Sequence, residues 1–318
     1  MRRPPATLPL LLLLGCLAGC KLVGKVLLIP VAVVAVVFGG LASIFVGSER
    51  ATVEDELWAS GVRIEQRLLD VQVERDLTFA GTLVEQSRVT DASGLQRAQQ
   101  APLSFDPRFQ ELELVSARVE SPDGTLVEVD AEHVFERPSA AERGAPGFVS
   151  GVTKTVLFPQ LTVGSRIRVE WRFREKAASA LGFHYTWRPP FGLDVDEARV
   201  RIAYDPEVPL RFDAQAPIEL VRSSEAGREI VEAILLDYAG QTPEPAMVAP
   251  RDVCPKLVVS STDSWASIGA AFHASSIGSV ESNPAIDTLA AEIVGEADGL
   301  EAARAIHRWV CRNIHYVP

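Results

Sequence analysis

His307, Cys311 and His315 recur at intervals of four near the C-terminus. On a helix that spacing lines up two imidazoles and a thiol along one stripe, a row that zinc could use. The stripe borders an apolar face and no carboxylate joins it at the same interval, so core-edge packing is expected and no metal ligand is assigned. Cys311 is not expected to be a nucleophile. A catalytic thiol needs an activating base and an orienting group, often at a helix N-terminus, and Cys311 falls toward the other end of its helix.

Two further clusters could carry chemistry. Phe183-His184-Tyr185-Thr186-Trp187, followed by Arg188, is the densest aromatic run. Phe183, Tyr185, Trp187 and Arg188 form a candidate ligand platform for peptide or glycan, set against packing at a sheet corner. Asp194, Asp196 and Glu197 lack the regular spacing of a calcium loop and read as solvated turn acids. The sequence has no Gly-x-Ser-x-Gly elbow, His-Glu-x-x-His, phosphate-binding Gly-rich loop or Cys-x-x-Cys. No catalytic residue, metal or cofactor is assigned.

The N-terminus supplies an address. Arg2 and Arg3 precede an apolar run and the small-residue ending Leu17-Ala18-Gly19-Cys20. This pattern looks like a bacterial lipobox, with residues 1–20 as a lipoprotein-type signal peptide and Cys20 as the lipidated residue. The alternative is an ordinary signal sequence or a signal anchor. Residues 21–50 form a hydrophobic anchor or transmembrane segment: Val26 through Val46 carries no charge and, as a helix, would span about 30 Å. Lys21 and Lys25 precede it and acids follow, so a crossing would put the rest of the chain outside the cytoplasm. A hydrophobic tether lying on the bilayer stays open. Each export reading places the large domain in the bacterial cell envelope, facing the periplasm or the exterior.

Net charge is −11, and removal of Arg2 and Arg3 makes it two units more negative. That balance disfavours nucleic acid and anionic lipid surfaces as partners. Membrane lipid at the anchor, and protein, peptide or peptidoglycan at the exported domain, are the partners expected. Cys254 and Cys311, the two cysteines beyond the leader, read as buried free thiols.

Positioning falls to a β-rich region. From about Val62 to Leu257, short alternating runs are punctuated by turn residues, which is a strand signature. Arg166 to Phe173 alternates strictly. Leu112, Leu114, Ser116 and Arg118 fall on one side of a strand that turns at Pro122-Asp123-Gly124 into Leu126-Val129. Other strands are expected at 63–73, 77–89, 153–158, 198–204, 229–237 and 256–260. Arg137 to Gly147 has no usable period and reads as a mobile loop. Helices follow: one after Thr262-Asp263-Ser264, carrying Trp265, Ile268 and Phe272; one from Pro284; and one after Asp298, with Ala303, Ile306, Val310 and Ile314 on one face. The expected fold class is mainly β, a β-sandwich-like domain with a short C-terminal α-helical segment, preceded by a hydrophobic membrane anchor.

Three stretches carry a family resemblance: Ser116 to Gly124, Val156 to Ser165, and Ser261-Thr262-Asp263-Ser264-Trp265. Together they resemble a bacterial domain of unknown function that commonly precedes transglutaminase-like domains in exported proteins. The resemblance spans roughly residues 60–275 and rests on turn positions rather than on chemistry. Residues 283–318, with Ile306, Trp309-Val310, Asn313-Ile314 and Tyr316-Val317, resemble only the first helices of a transglutaminase-like domain. The Cys, His and Asp of that superfamily come later in the chain and match no position here. The resemblance implies an exported, membrane-anchored, non-catalytic module that binds or positions a substrate or partner. Its alternative is the N-terminal part of a transglutaminase-like cysteine enzyme acting on protein or peptide amides.

Overall fold

The computed structural model describes residues 61–144, 150–179, 181–241, 246–277 and 283–314. Cys20 and the two segments 1–20 and 21–50 lie outside the described residues, as does His315. Among the described residues no helix is long and apolar enough to cross a membrane.

Strands dominate up to Ser260. The large sheet holds β1 (Val62–Val73), β2 (Phe79–Val89), β4 (Gln110–Glu120), β5 (Leu126–Glu128), β8 (Arg166–Glu175), β10 (Asp194–Tyr204), β12 (Glu219–Glu225) and β13 (Arg228–Tyr238). Their order across the sheet is β12-β13-β10-β1-β2-β8-β4-β5. Every neighbouring pair is antiparallel except β1 with β10, which run parallel. That one seam joins an antiparallel block drawn from residues 62–175 to one drawn from residues 194–238. A parallel pair demands a long crossover, and the strands between β2 and β10 supply it.

Two three-stranded antiparallel sheets complete the β region. One orders β3 (Gln100–Phe105), β7 (Val152–Leu157) and β6 (Val134–Pro138) as β3-β7-β6. The other orders β9 (His184–Trp187), β11 (Arg211–Ala214) and β14 (Leu257–Ser260) as β11-β14-β9. Buried side chains from all three sheets form one hydrophobic cluster, including Trp171 and Phe173 of β8, Leu103 of β3, Val156 of β7 and Val259 of β14. The mainly β reading therefore holds, as one large mixed sheet with two small ones.

Alternation explains most of this burial, and two bulges explain where it fails. In β8, Ile167, Val169, Trp171, Phe173 and Glu175 are buried, while the residues between them are not. In β4, Gln110 and Leu112 are buried and then Ala117 and Val119, because the register shifts between Leu114 and Ser116. A bulge adds one residue to one strand, so inward positions change from even to odd. The expected face of Leu112, Leu114, Ser116 and Arg118 is corrected accordingly: Ser116 and Arg118 are exposed. The same switch in β1, between Ile64 and Gln66, takes burial from Val62 and Ile64 to Leu69, Val71 and Val73.

Local chemistry fixes the turns. At the hairpin after β4, Asp123 Oδ1 accepts from Thr125 N at 2.9 Å, and Gly124 takes φ +86°, a value that favours glycine. Gly81 in β2 makes room within the sheet, since a Cβ there would fall 2.1 Å from Asp70 O and 2.7 Å from Phe173 Cζ. The stretch 137–147 is not a loop throughout. It begins in β6 and continues into α2 (Ala140–Gly144), the second short helix after α1 (Gly94–Ala98), while 145–149 fall outside the described residues.

Beyond α3 (Pro250–Val253) and β14 the chain is helical: α4 (Trp265–Ser276), α5 (Pro284–Val294) and α6 (Gly299–Asn313). Ser264 Oγ accepts from Ser267 N at the start of α4, and Asn283 Oδ1 accepts from Ala285 N at the start of α5, with Pro284 in the first turn. α5 packs against α6, where Ala303, Ile306 and Val310 are half-buried, yet neither helix contains a buried residue.

Candidate functional site

The aromatic run from Phe183 occupies β9, held against β14 with Tyr185 opposite Val259 and Trp187 opposite Leu257. Phe183, Tyr185 and Trp187 are all buried. Phe183 meets Phe79 edge-on at 5.3 Å between centroids, and Phe79 meets Phe173 at 6.3 Å. Burial also pushes the Tyr185 hydroxyl well above its ordinary pKa. An exposed platform built from these faces is therefore corrected to an aromatic core. Short-range pattern could not separate the two, because a ring flanked by polar residues looks the same in either setting. Arg188 continues the chain at the end of β9 and is half-buried.

His184 points to the other side of β9, where Nε2 lies 3.0 Å from Thr262 Oγ1 and 3.4 Å from Ser260 Oγ. A serine beside an imidazole invites a nucleophile reading. The hydrogen bonds argue against it. Thr262 Oγ1 donates to Leu181 O at 3.0 Å, so toward His184 it can only accept, and Nε2 must carry the proton. Burial lowers the His184 pKa, which keeps the ring neutral. A protonated Nε2 cannot take a proton from Ser260, so the cluster ties β9 and β14 to the start of the helical region.

Asp194, Asp196 and Glu197 lie in β10 rather than in a turn. Arg63 of β1 pairs with Asp196 and lies 3.6 Å from Asp194, Asp194 Oδ1 also accepts from Gly240 N, and Gln66 donates to Glu197 at 3.0 Å. These contacts stitch the parallel seam from its solvent side. The same face continues with Arg166 to Glu65 and Glu120, Arg172 to Glu113 and Arg174 to Glu111. Exposed pairs of this kind set register more than stability.

The one strongly perturbed carboxyl among the described residues was not foreseen. Glu175 ends the inward parity of β8 and is 7% exposed, opposite Gln110, which is 1% exposed. Gln110 Nε2 donates to Glu175 Oε2 at 3.1 Å, and Gln110 Oε1 accepts from Asp106 N at 3.0 Å. Burial raises the Glu175 pKa to about 7, with a smaller contribution from Asp106. The sequence signal was present: 167, 169, 171 and 173 are apolar, and an acid occupies the next position of that parity.

His307 and Cys311 are neighbours on α6, with Sγ 3.7 Å from Nε2. Among the described residues no cluster of three His, Cys, Asp or Glu could hold a metal. Both described cysteines are free. Cys254 is buried as expected, whereas Cys311 is exposed, which corrects the expectation of a buried thiol there.

A large mixed sheet with two small ones, followed by C-terminal helices, defines a mainly β domain. Residues 78–238 match the family described as a Domain of Unknown Function with solved-structure structure, DUF3857, and the chain belongs to that family. A "putative protease" from Parabacteroides distasonis has a similar fold, with a TM-score of 0.69 at 18% identity, over 82% of this chain and 52% of that one. The chain thus spans about half the length of that protein. An M1 zinc metallopeptidase from Deinococcus radiodurans aligns over 64% of this chain and 43% of its own, at 11% identity and a TM-score of 0.32, too low to carry an argument. No curated protein matches in sequence.

Proposed function

We propose that this chain is an exported, membrane-anchored module whose β domain binds or positions a protein, peptide or peptidoglycan segment, and whose helices α5 and α6 open a transglutaminase-like domain. The observation that carries this reading is the state of those helices. α6 has the stripe Ala303, Ile306 and Val310, and it packs on α5, yet nothing in the pair is buried. Two short helices do not make a core, so they call for a further layer. The β domain, by contrast, has a filled interior and a broad charged face on which a polar partner can lie. A non-catalytic role is supported by the His184 tautomer, which leaves Ser260 without a base.

The anchor follows from Arg2-Arg3, Cys20 and the uncharged stretch 26–46. Mass spectrometry of the mature N-terminus tests it: a diacylglyceryl thioether on Cys20 supports the lipoprotein form, and an unmodified Met1 removes it. Binding is tested by equilibrium titration of the full chain with peptidoglycan fragments and with unfolded polypeptide. Saturable binding of either supports the module. Binding of neither at millimolar concentration sinks it.

A second reading is favoured by the fold likeness to a protein about twice as long that is described as a "putative protease". On that view the chain is the N-terminal part of an enzyme acting on peptide or protein amides, and the β domain presents substrate to a thiol centre. Both readings have α5 and α6 open a further domain, and reading the gene beyond the codon for Pro318 tests both. A downstream Cys, then His, then Asp supports the enzyme, a downstream domain without them supports the non-catalytic module, and an immediate stop opposes both.

A further inference from the structure

The turn between β3 and β4, Asp106-Pro107-Arg108-Phe109-Gln110, is fastened to the end of β8 from several directions. Phe109 N and Gln110 N donate to Asp106 O at 3.0 and 2.8 Å, closing the turn on itself. Lys176 N donates to Phe109 O at 2.7 Å and Lys176 Nζ to Pro107 O at 2.6 Å, tying the turn to the residue after Glu175. Inside, Gln110 bridges the two carboxyl residues. Its Oε1 accepts from Asp106 N, which fixes the amide orientation and aims Nε2 at Glu175 Oε2.

The charges around Glu175 do not favour its ionised form. Arg108 grips Asp106, with Nη2 2.6 Å from Oδ2 and Nε 3.1 Å from Oδ1. Lys176 donates to Pro107 O, and its charge acts on Asp106. Lys154 of β7 donates to Leu112 O and pairs with Glu136 at 2.9 Å. Arg174 pairs with Glu111 on the opposite face of the sheet, and Glu142 of α2 acts on Arg108 rather than on Glu175. Among the described residues, then, the group facing Glu175 most directly is a neutral amide, and the nearest charge acting on it is a second acid, Asp106.

We propose that Glu175, Gln110 and Asp106 form a proton-operated latch, which holds the β3–β4 turn against the end of β8 while Glu175 is neutral and loosens it when Glu175 ionises. Protonated, Glu175 keeps Oε2 as an acceptor for Gln110 and places no charge beside Asp106. Ionised, it is a buried anion next to another anion; the Gln110 hydrogen bond favours that form but burial outweighs it, and opening the turn to water relieves both penalties. Titration near neutrality, given by burial, puts the switch within ordinary environmental pH. The parts that move are Arg108 and the partly exposed Phe109, whose ring lies 5.2 Å from the Arg108 guanidinium. Nothing in the latch depends on what the module binds.

The test is hydrogen exchange and carboxyl NMR on the full chain between pH 5.5 and 8.5. Protection of the amides of Phe109, Gln110 and Lys176, corrected for intrinsic exchange, is expected to fall about tenfold across neutrality. The Glu175 side-chain carbon is expected to titrate over the same interval. Glu175→Gln, which keeps the shape and removes the titration, is expected to hold protection constant. A Glu175 carbon that titrates in the ordinary carboxylate range overturns the proposal. So does a wild type whose protection is independent of pH, or a Glu175→Gln protein that keeps the pH dependence. Should that variant fail to fold, the carboxyl titration and exchange in the wild type decide alone.

Discussion

The β domain and the α5–α6 pair use apolar residues in opposite ways. In the β domain three sheets close over Trp171, Phe173, Val156 and Val259, and the alternation of the long strands β1, β4, β8, β10 and β13 ends in buried rows. In the helices the repeat is just as regular, but Ile306 and Val310 stay half-exposed, and Leu300 and Ile314 more so. Amphipathic patterning sets which face would be buried. It does not supply the surface that buries it. A sheet finds its partner within the same domain, whereas a helical pair of this length depends on another layer.

The contrast is broken most forcefully from inside the β core. Phe173→Ala removes a fully buried ring that touches Phe79, and an unfolding free energy lower by about 3–5 kcal/mol is expected in urea titration. Glu175→Gln comes next and should stabilise rather than destabilise. A carboxyl whose pKa is raised in the folded state binds its proton more tightly there than in the unfolded chain. The stabilisation from that proton is therefore complete below the ordinary carboxylate range and is lost as pH climbs to about 7. At pH 8 the variant is expected to gain about 1–3 kcal/mol over wild type, and little at pH 4.5, read from urea midpoints at each pH.

Smaller effects are expected in the helices. Asn283→Ala removes the side chain that caps α5 and should lower its local helix stability by about 1 kcal/mol, seen as faster exchange at Ala285 with the β-domain midpoint unchanged. Ile306→Ala is the sharpest discriminator. Its effect on the β-domain midpoint should lie within about 0.5 kcal/mol, since the side chain is only half-buried. A large loss there would show that α6 already has its full partner surface.

Much of the fold is legible in the residues. The strict alternation of 166–173, the Pro-Asp-Gly turn, the Ser264 cap, the helix start at Pro284 and the stripe on α6 all follow from local rules and appear in the structure. The short strands β3, β6, β9, β11 and β12 were not foreseen, because a run of four to seven residues carries too little periodicity to stand out. The candidate site was harder. The aromatic run drew attention by composition and proved to be core. Glu175 drew none, although an acid on the apolar parity of a strand was in plain view.

By itself the sequence determined the mainly β class, the Pro-Asp-Gly turn, the helix starts and an apolar N-terminal stretch followed in sequence by an acidic chain. Tertiary structure alone decided the parallel seam between β1 and β10, the bulges that reverse the inward face of β1 and β4, the burial of Phe183, Tyr185 and Trp187, and the near-neutral titration of Glu175. The division has one cause. Alternation, caps and turns are set by residues a few positions apart, while strand partners and the solvation of a charge depend on groups brought together from distant parts of the chain.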